Sequence, residues 1–438
     1  MSPIRDLRDA WRRSGQAIDV DSRMIGKKVI LRGWVHRKRF HGGVLFIDLR
    51  DPTGTVQLTI HRDQVDEMVY REAERTTLES SITIEGVVRA DRRAPGGVEV
   101  SVNDLKIVNL ARPWPIQRTS GKIFLLDHRH LHLRSPKVRA VMLIRSAVIR
   151  AMREHLEGEG FIEVQPPILI SVAVEGGATL FPIEYFGRGV YLTQSGQLYL
   201  EAAITSLGKV YGLNPSFRAE KSRTSRHLTE FWEVECEVPF ATHEDIIKLE
   251  EDLLVRACSH VVEHCQKELK ELGRKFEVPQ APFERITYDE AIEIASKMGE
   301  RVKWGEEFGA RTERVISEHF EEPFFVEGFP TISRSFYHKP NPKDAKVTLS
   351  SDMMAPGGYG ELSSGGQRIS DYELLVKRIR EQHLPLEDYK WYLDLRKYGI
   401  PPHSGFGLGI ERTVRWICAL KHIREACLFP RTPDRVHP

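Results

Sequence analysis

The stretch FRAEKSRTSRHLTEF, residues 217–231, crowds the cations Arg218, Lys221, Arg223 and Arg226 and the histidine His227 against the acids Glu220 and Glu230, between the rings of Phe217 and Phe231. On either side lie apolar runs, GKVYGLNPSF (208–217) and EFWEVECEVPF (230–240), that read as strands. A charged loop therefore joins two β-runs. On these residues alone two readings stay open: a solvated hairpin held by its own salt bridges, or a cradle for a strongly anionic ligand.

The chain has 438 residues, more than the roughly 250–300 at which a single core stops growing, so two or three domains are expected. Apolar residues make up 41% and charged residues 29%, ordinary for a globular protein, and no run approaches the roughly 18 uncharged apolar residues of a membrane span. No membrane partner is expected. The opening MSPIRDLRDAWRRSGQ lacks the apolar core of a signal peptide, and Cys236, Cys258, Cys265, Cys418 and Cys427 form no CxxC pair. A cytoplasmic protein with reduced cysteines, no disulfide and no zinc site is the expectation. With a net charge of only +2, any contact with nucleic acid must come from local patches.

Between residues 27 and 108 the apolar residues fall in five short runs, VILRGWV, LFIDLRD, VQLTIH, ITIEGVV and VEVSVNDLKIV, separated by HGG, DPTG and APGG turns. Five strands in so short a span predict a small antiparallel barrel, with the oligonucleotide-binding barrel as the candidate and a barrel used only for packing as the alternative. Residues 112–136, rich in Pro, Arg and His, read as a linker, and LDHRHLHLR within it as an exposed basic crossing with no carboxylate or thiol to complete a metal site. A long amphipathic helix follows over 137–159, ending at Gly160. Beyond it, strands cluster among helices without βαβ alternation, which predicts an α+β domain with an antiparallel sheet flanked by helices. GxxxxGK[ST] and GxGxxG are both absent, so a bound nucleotide would have to be held by side chains.

Three passages in chain order change the reading: GFIEVQPPIL (160–169), the FRAE and HLTEF ends of the opening stretch, and GFGLGIER (405–412). Together they resemble the three signatures of class II aminoacyl-tRNA synthetases, and the preceding barrel resembles the anticodon-binding domain of the aspartyl, asparaginyl and lysyl subgroup. The resemblance runs from about Lys27 to the C-terminal LFPRTPDRVHP. It implies a five-stranded oligonucleotide-binding (OB) domain over 1–111, a linker over 112–136 and a catalytic domain over 137–438. It also implies ATP as substrate, Mg2+, a tRNA partner and a homodimer, with Pro167 at the dimer interface.

The resemblance distributes roles along the chain. Arg218, rigid, always charged and bidentate, suits an α-phosphate and the carboxylate attacking it. Phe231 offers adenine a flat face, Glu220 reads its amino edge, and Arg226 and His227 neutralise the outer phosphates, with Leu228 beside them. Arg412 clamps the γ-phosphate, with Gly409, Ile410 and Glu411 leading into it. Gly405, Gly407 and Gly409 allow close approach of the nucleotide. Arg218 and Arg412 are thus the catalytic pair. Glu361, Ser364 and Asp352, in SSDMMAPGGYGELSSGGQR, are implied metal ligands in that order.

For the amino acid, the resemblance sets Glu175 and Gln197 around the ammonium, Arg218 on the carboxylate and Arg368 on the side-chain oxygen, with Ser364 nearby. Aspartyl relatives read QSPQxxK where this chain reads QSGQLYL, so Leu200 stands in place of a lysine. A buried carboxylate with one of its two cations removed is under-compensated by several kcal/mol, whereas an amide needs no second cation. Asparagine and tRNA(Asn) are therefore favoured, with aspartate the runner-up, and Glu230 is assigned either to the amide NH2 or to holding Arg218. In the barrel, Arg39, Phe46 and Gln57 fall where the family reads the anticodon, although Phe46 within VLFI is equally placed to be core. A catalytically dead RNA-binding paralogue and an ATP-dependent enzyme that makes asparagine from aspartate are the rivals from other classes.

Overall fold

The computed structural model describes residues 15–174, 179–221 and 224–438; Glu175 and Arg223 lie outside them. The chain divides into two compact units between Phe124 and Leu125.

The first unit is a closed five-stranded barrel in the order β1 (Lys28–His41), β2 (Val44–Arg50), β3 (Thr55–His61), β5 (Val98–Asn109), β4 (Ser81–Ala90). It is antiparallel except where β3 meets β5, the parallel pair that includes Leu58 and Val100. The alternation legible in the sequence puts Leu31, Val35, Ile47, Leu58, Ile60, Ile84 and Val100 inside. Helix α1 (Glu67–Arg75) buries Tyr70 and Ala73 against the same core. Phe46 alternates out of that core, and Arg39, its register partner on β1, lies over its ring at 5.5 Å and donates to Gln57 Oε1 at 2.8 Å. The three residues singled out for the anticodon thus form one patch on the barrel wall.

The stretch read as a linker contains the division between the units and is partly helical. Residues Lys122–Asp127 and Arg129–His132 are helical. Arg129 is buried and donates to the carbonyls of Cys427 (2.6 Å) and Leu428 (2.9 Å), so LDHRHLHLR is docked onto the C-terminal segment and is not an exposed crossing. Helix α2 (Pro136–Gly158) follows, within a residue of its predicted bounds.

The eight-stranded sheet of this unit draws on β6 (Ile162–Glu163), β10 (Val210–Phe217), β11 (Glu230–Pro239), β12 (Glu284–Thr287), β13 (Phe324–Glu327), β16 (Ser350–Ala355), β17 (Gly360–Gln367) and β18 (His403–Gly409), in the order β12-β13-β16-β17-β18-β11-β10-β6. Short sheets are made by β7 (Leu169–Ile170), β8 (Pro182–Tyr185) and β9 (Arg188–Leu192), and by β14 (Pro340–Asn341) and β15 (Asp344–Thr348). The six central strands are antiparallel, as predicted, but each edge pair, β12 with β13 and β6 with β10, is parallel. Three helices matter below: α3 (Gln197–Leu207), α4 (His243–His264) and α5 (Ala310–Ser317). A fourth, α6 (Ile410–Ile417), continues directly from β18. The largest core lies where α2, α4 and α6 cover one face of the sheet, through Ile144, Val148, Leu253, Leu254, Val414 and Phe406. No described helix is long and apolar enough to cross a membrane.

Candidate active site

Three central strands build the site. In register, Glu233, Glu235 and Glu237 of β11 stand opposite Gly409, Gly407 and Gly405 of β18, and Ser364 of β17 stands opposite Gly407. Alternate residues of a strand share a face, so EVECE lays three carboxylates along one surface, and Gly407 and Gly409 leave space beside Glu235 and Glu233. That surface is the floor of a cavity of about 490 Å³, whose walls include Arg218, Glu220, Glu361, Ser364, Arg368 and Gln197. A narrower recess of about 50 Å³ adjoins it, sharing Arg218, Glu220 and Glu361 and adding Arg226, His227, Leu228, Phe231, Glu411 and Arg412. Arg218 and Arg412, far apart in sequence, thus bound one recess.

Around that recess the charges are pre-arranged. Arg412 Nη1 lies 2.7 Å from Glu361 Oε1, and Arg218 lies over the Phe231 ring at 5.1 Å. Burial alone would raise the Glu361 pKa; Arg412, then Arg226 and Arg218, outweigh it and hold the carboxyl below the ordinary glutamate range. Arg226 forms an ion pair with Glu313 of α5. His227 accepts or donates at 2.6 Å to Thr224 Oγ1, and burial together with Arg412 and Arg226 depresses its pKa to about 4. Its imidazole is therefore neutral near pH 7.

The two residues leading into Arg412 are anchored in the scaffold, Glu411 while also lining the recess. Ile410 is fully buried in the main core, so its side chain cannot face a nucleotide. Glu411 pairs with Arg145 of α2 at 2.7 Å and accepts the Trp232 amide at 3.0 Å. The glycines divide similarly. A Cβ on Gly405 would come within 2.2 Å of the Cys236 carbonyl oxygen and 2.3 Å of the Glu237 carboxylate, so this glycine serves strand packing; Gly407 and Gly409 meet no backbone and fit close approach by a ligand.

Glu361, Ser364 and Asp352 all face the larger cavity and offer the hard oxygen donors that suit Mg2+. Each is already engaged by an arginine, Asp352 and Ser364 accepting from Arg334 at 2.6 and 3.4 Å and Glu361 pairing with Arg412, so a metal would share its ligands with these cations. Elsewhere His243, Glu244 and Glu327 converge closely enough for a metal, but Arg285 is paired with both of these acids.

In the amino-acid corner, Arg368 is 3% exposed and its Nε and Nη2 reach Glu237 Oε1 at 3.0 and 2.7 Å. Glu237 is 1% exposed, and its other oxygen, Oε2, is buried with no hydrogen-bond partner. Burial pushes this carboxyl up even against the pull of Arg368. Gln197 heads α3 and donates to Glu201 Oε1 at 3.0 Å; Glu201 is held in turn by Arg396 at 2.7 Å and His403 at 2.9 Å. The Gly196 amide donates to both oxygens of Glu235, at 3.1 and 2.8 Å, and a Cβ there would meet Pro166 at 2.5 Å, so QSGQ is fixed by its glycine.

Two sequence assignments do not hold in this corner. Leu200 is fully buried among Ile204, Val210 and Ile400 and is not on the cavity wall. Leu200→Lys is therefore expected to lower the thermal midpoint, by an amount matching a burial cost of several kcal/mol, and not merely to retune selectivity; a melting curve unchanged from wild type would show that the lysine reaches the cavity. Glu230 pairs with Phe217 at the outer end of β11, forms a bridge with Arg431 and does not line the cavity. The residue facing Arg368 in this corner is Glu237, from the alternating EVECE strand.

Residues 122–433 match the tRNA synthetases class II (D, K and N), and residues 29–108 match the OB-fold nucleic acid binding domain. The chain belongs to the class II synthetase family. It is 52% identical over 425 residues to the asparagine--tRNA ligase of Thermococcus kodakarensis, covering 96% of this chain and 98% of that protein. It superposes on the crystal structure of asparaginyl-tRNA synthetase from Pyrococcus horikoshii complexed with asparaginyl-adenylate with a TM-score of 0.94 at 47% identity, over 97% of this chain and 99% of the other. A putative aspartyl-tRNA synthetase from Leishmania major gives a TM-score of 0.87 at 26% identity, over 100% of this chain and 97% of the other.

Proposed function

We propose that the protein is an asparagine--tRNA ligase that activates asparagine with ATP and transfers it to the 3' end of tRNA(Asn). The carrying observation is the buried Arg368–Glu237 pair, because the fixed cation of the side-chain pocket is already neutralised and the adjacent Glu237 Oε2 awaits a donor. A carboxamide meets both groups, its oxygen taking Arg368 and its NH2 giving to Glu237. An arriving N–H would stabilise the ionised form of a carboxyl whose pKa burial has raised. A carboxylate would bring a second negative charge with no free cation, at a cost of several kcal/mol. The identity of 52% and 47% to the Thermococcus and Pyrococcus asparaginyl proteins, against 26% to the Leishmania aspartyl one, supports the same reading.

In this reading the α-carboxylate, oriented by Arg218, attacks the α-phosphorus and pyrophosphate leaves. The terminal ribose hydroxyl of the tRNA then takes the aminoacyl group. Arg218 neutralises charge developing at the α-phosphate and Arg412 that on the outer phosphates, while Phe231, Leu228 and Glu220 seat adenine. Mg2+ bound by Glu361 and Ser364 would supply further neutralisation of the phosphates. No side chain acts as a nucleophile.

The barrel patch of Arg39, Phe46 and Gln57 is assigned to the anticodon, with Phe46 as a stacking platform worth roughly 1–3 kcal/mol per base. A homodimer is proposed through the surface around Pro167, where the apolar side chains of Ile162, Ile168 and Leu169 are exposed. Pyrophosphate exchange measured in parallel with asparagine and aspartate tests the substrate. Exchange at least about 100-fold more efficient with asparagine is expected from an uncompensated buried charge of a few kcal/mol, and comparable rates with the two would overturn the assignment.

A further inference from the structure

A carboxamide buried in this corner presents three groups, one oxygen and two N–H donors, and Arg368 with Glu237 Oε2 accounts for only two of them. The remaining N–H would be left unpaired, a loss that buried polar groups rarely tolerate. His338 offers the missing partner. It is 4% exposed, lines the same cavity as Arg368 and Glu237, and is the bridge partner of Arg368, so the two side chains emerge next to each other. Its Nδ1 is buried with no hydrogen-bond partner, the mark of a polar group built for something that arrives.

The surroundings keep the ring an acceptor. Burial, and then the Arg368 and Arg334 guanidiniums, push the His338 pKa well below the usual histidine range, with Glu201 pulling weakly the other way. A neutral imidazole always has one lone-pair nitrogen.

We propose that His338 is a specificity residue, whose ring nitrogen accepts the second amide hydrogen of the asparagine side chain and so completes a three-point reading of the carboxamide by Arg368, Glu237 and His338. Aspartate, with no hydrogen to give, leaves this acceptor facing an oxygen. The inference rests on asparagine being the substrate, which wild-type pyrophosphate exchange tests independently of any change at position 338.

The test is steady-state exchange with His338→Leu and His338→Gln. In H338L the KM for asparagine is expected to rise about tenfold, the effect of one unpaired buried donor, with kcat and the KM for ATP little changed and the preference for asparagine over aspartate reduced about tenfold. H338Q, which keeps an acceptor, is expected to retain most of both. An asparagine KM and a preference within twofold of wild type in H338L would overturn the proposal. So would an H338Q variant as impaired as H338L, because the loss would then come from packing. Should H338L fail to melt cooperatively, His338→Met takes its place with the same two outcomes.

Discussion

Arg218→Ala is expected to abolish asparagine-dependent pyrophosphate exchange, by about 10³-fold or more, while the protein keeps its cooperative melting transition. Arginines that meet transferring phosphoryl groups contribute on this scale because they neutralise charge that develops only in the transition state. The location of Arg218 supports so large an effect. It sits just beyond β10, lines both the larger cavity and the nucleotide recess, and lies over Phe231, the ring proposed for adenine. One side chain thus touches the expected positions of the amino-acid carboxylate, the α-phosphate and the base stack. Its removal should lower kcat and not merely raise KM, since the attacking carboxylate and the α-phosphate lose their common counter-charge. Exchange retained within tenfold of wild type would remove Arg218 from the chemistry.

The second large effect is expected at Arg368. Arg368→Met removes one member of a fully buried ion pair and leaves Glu237 enclosed with no counter-charge, which costs about 3–5 kcal/mol in comparable cases. The thermal midpoint should fall and asparagine activation should be lost together. A double variant separates the two causes. Arg368→Met with Glu237→Gln removes the orphaned charge, so stability should largely return, but the pocket then lacks both the cation for the amide oxygen and the carboxylate for its NH2. Activity should stay lost. A double variant as unstable as the single one would mean that Arg368 supports the fold through contacts other than Glu237.

The parts of this molecule that were legible in the sequence are those governed by local periodicity. Alternation gave the five barrel strands, 3.6-residue spacing gave α2, and the charged loop between two strand patterns gave the hairpin that carries Arg218 and Phe231. What stayed hidden depends on which neighbour lies across the sheet. Leu200 looked like a pocket residue because of its place in QSGQLYL, yet it falls on the face of α3 that packs against Val210 and Ile400. Glu237 gave no warning, because a glutamate on an alternating strand is indistinguishable from a solvated one until Arg368, 131 positions later, is seen beside it. The docking of LDHRHLHLR through Arg129 is hidden for the same reason. A basic, His-rich run resembles a linker unless one knows that the carbonyls of Cys427 and Leu428 need a donor.

The attachment of Glu411 has a mechanical meaning. This residue precedes Arg412, and its carboxylate ties the first turn of α6 both to α2, through Arg145, and to β11, through the Trp232 amide. The clamp proposed for the outermost phosphate therefore stands on a braced post, and its aim is set when the domain folds. Little reorientation remains to be done when the nucleotide enters, so affinity that would otherwise go into stiffening a loose arm stays available for bending the triphosphate.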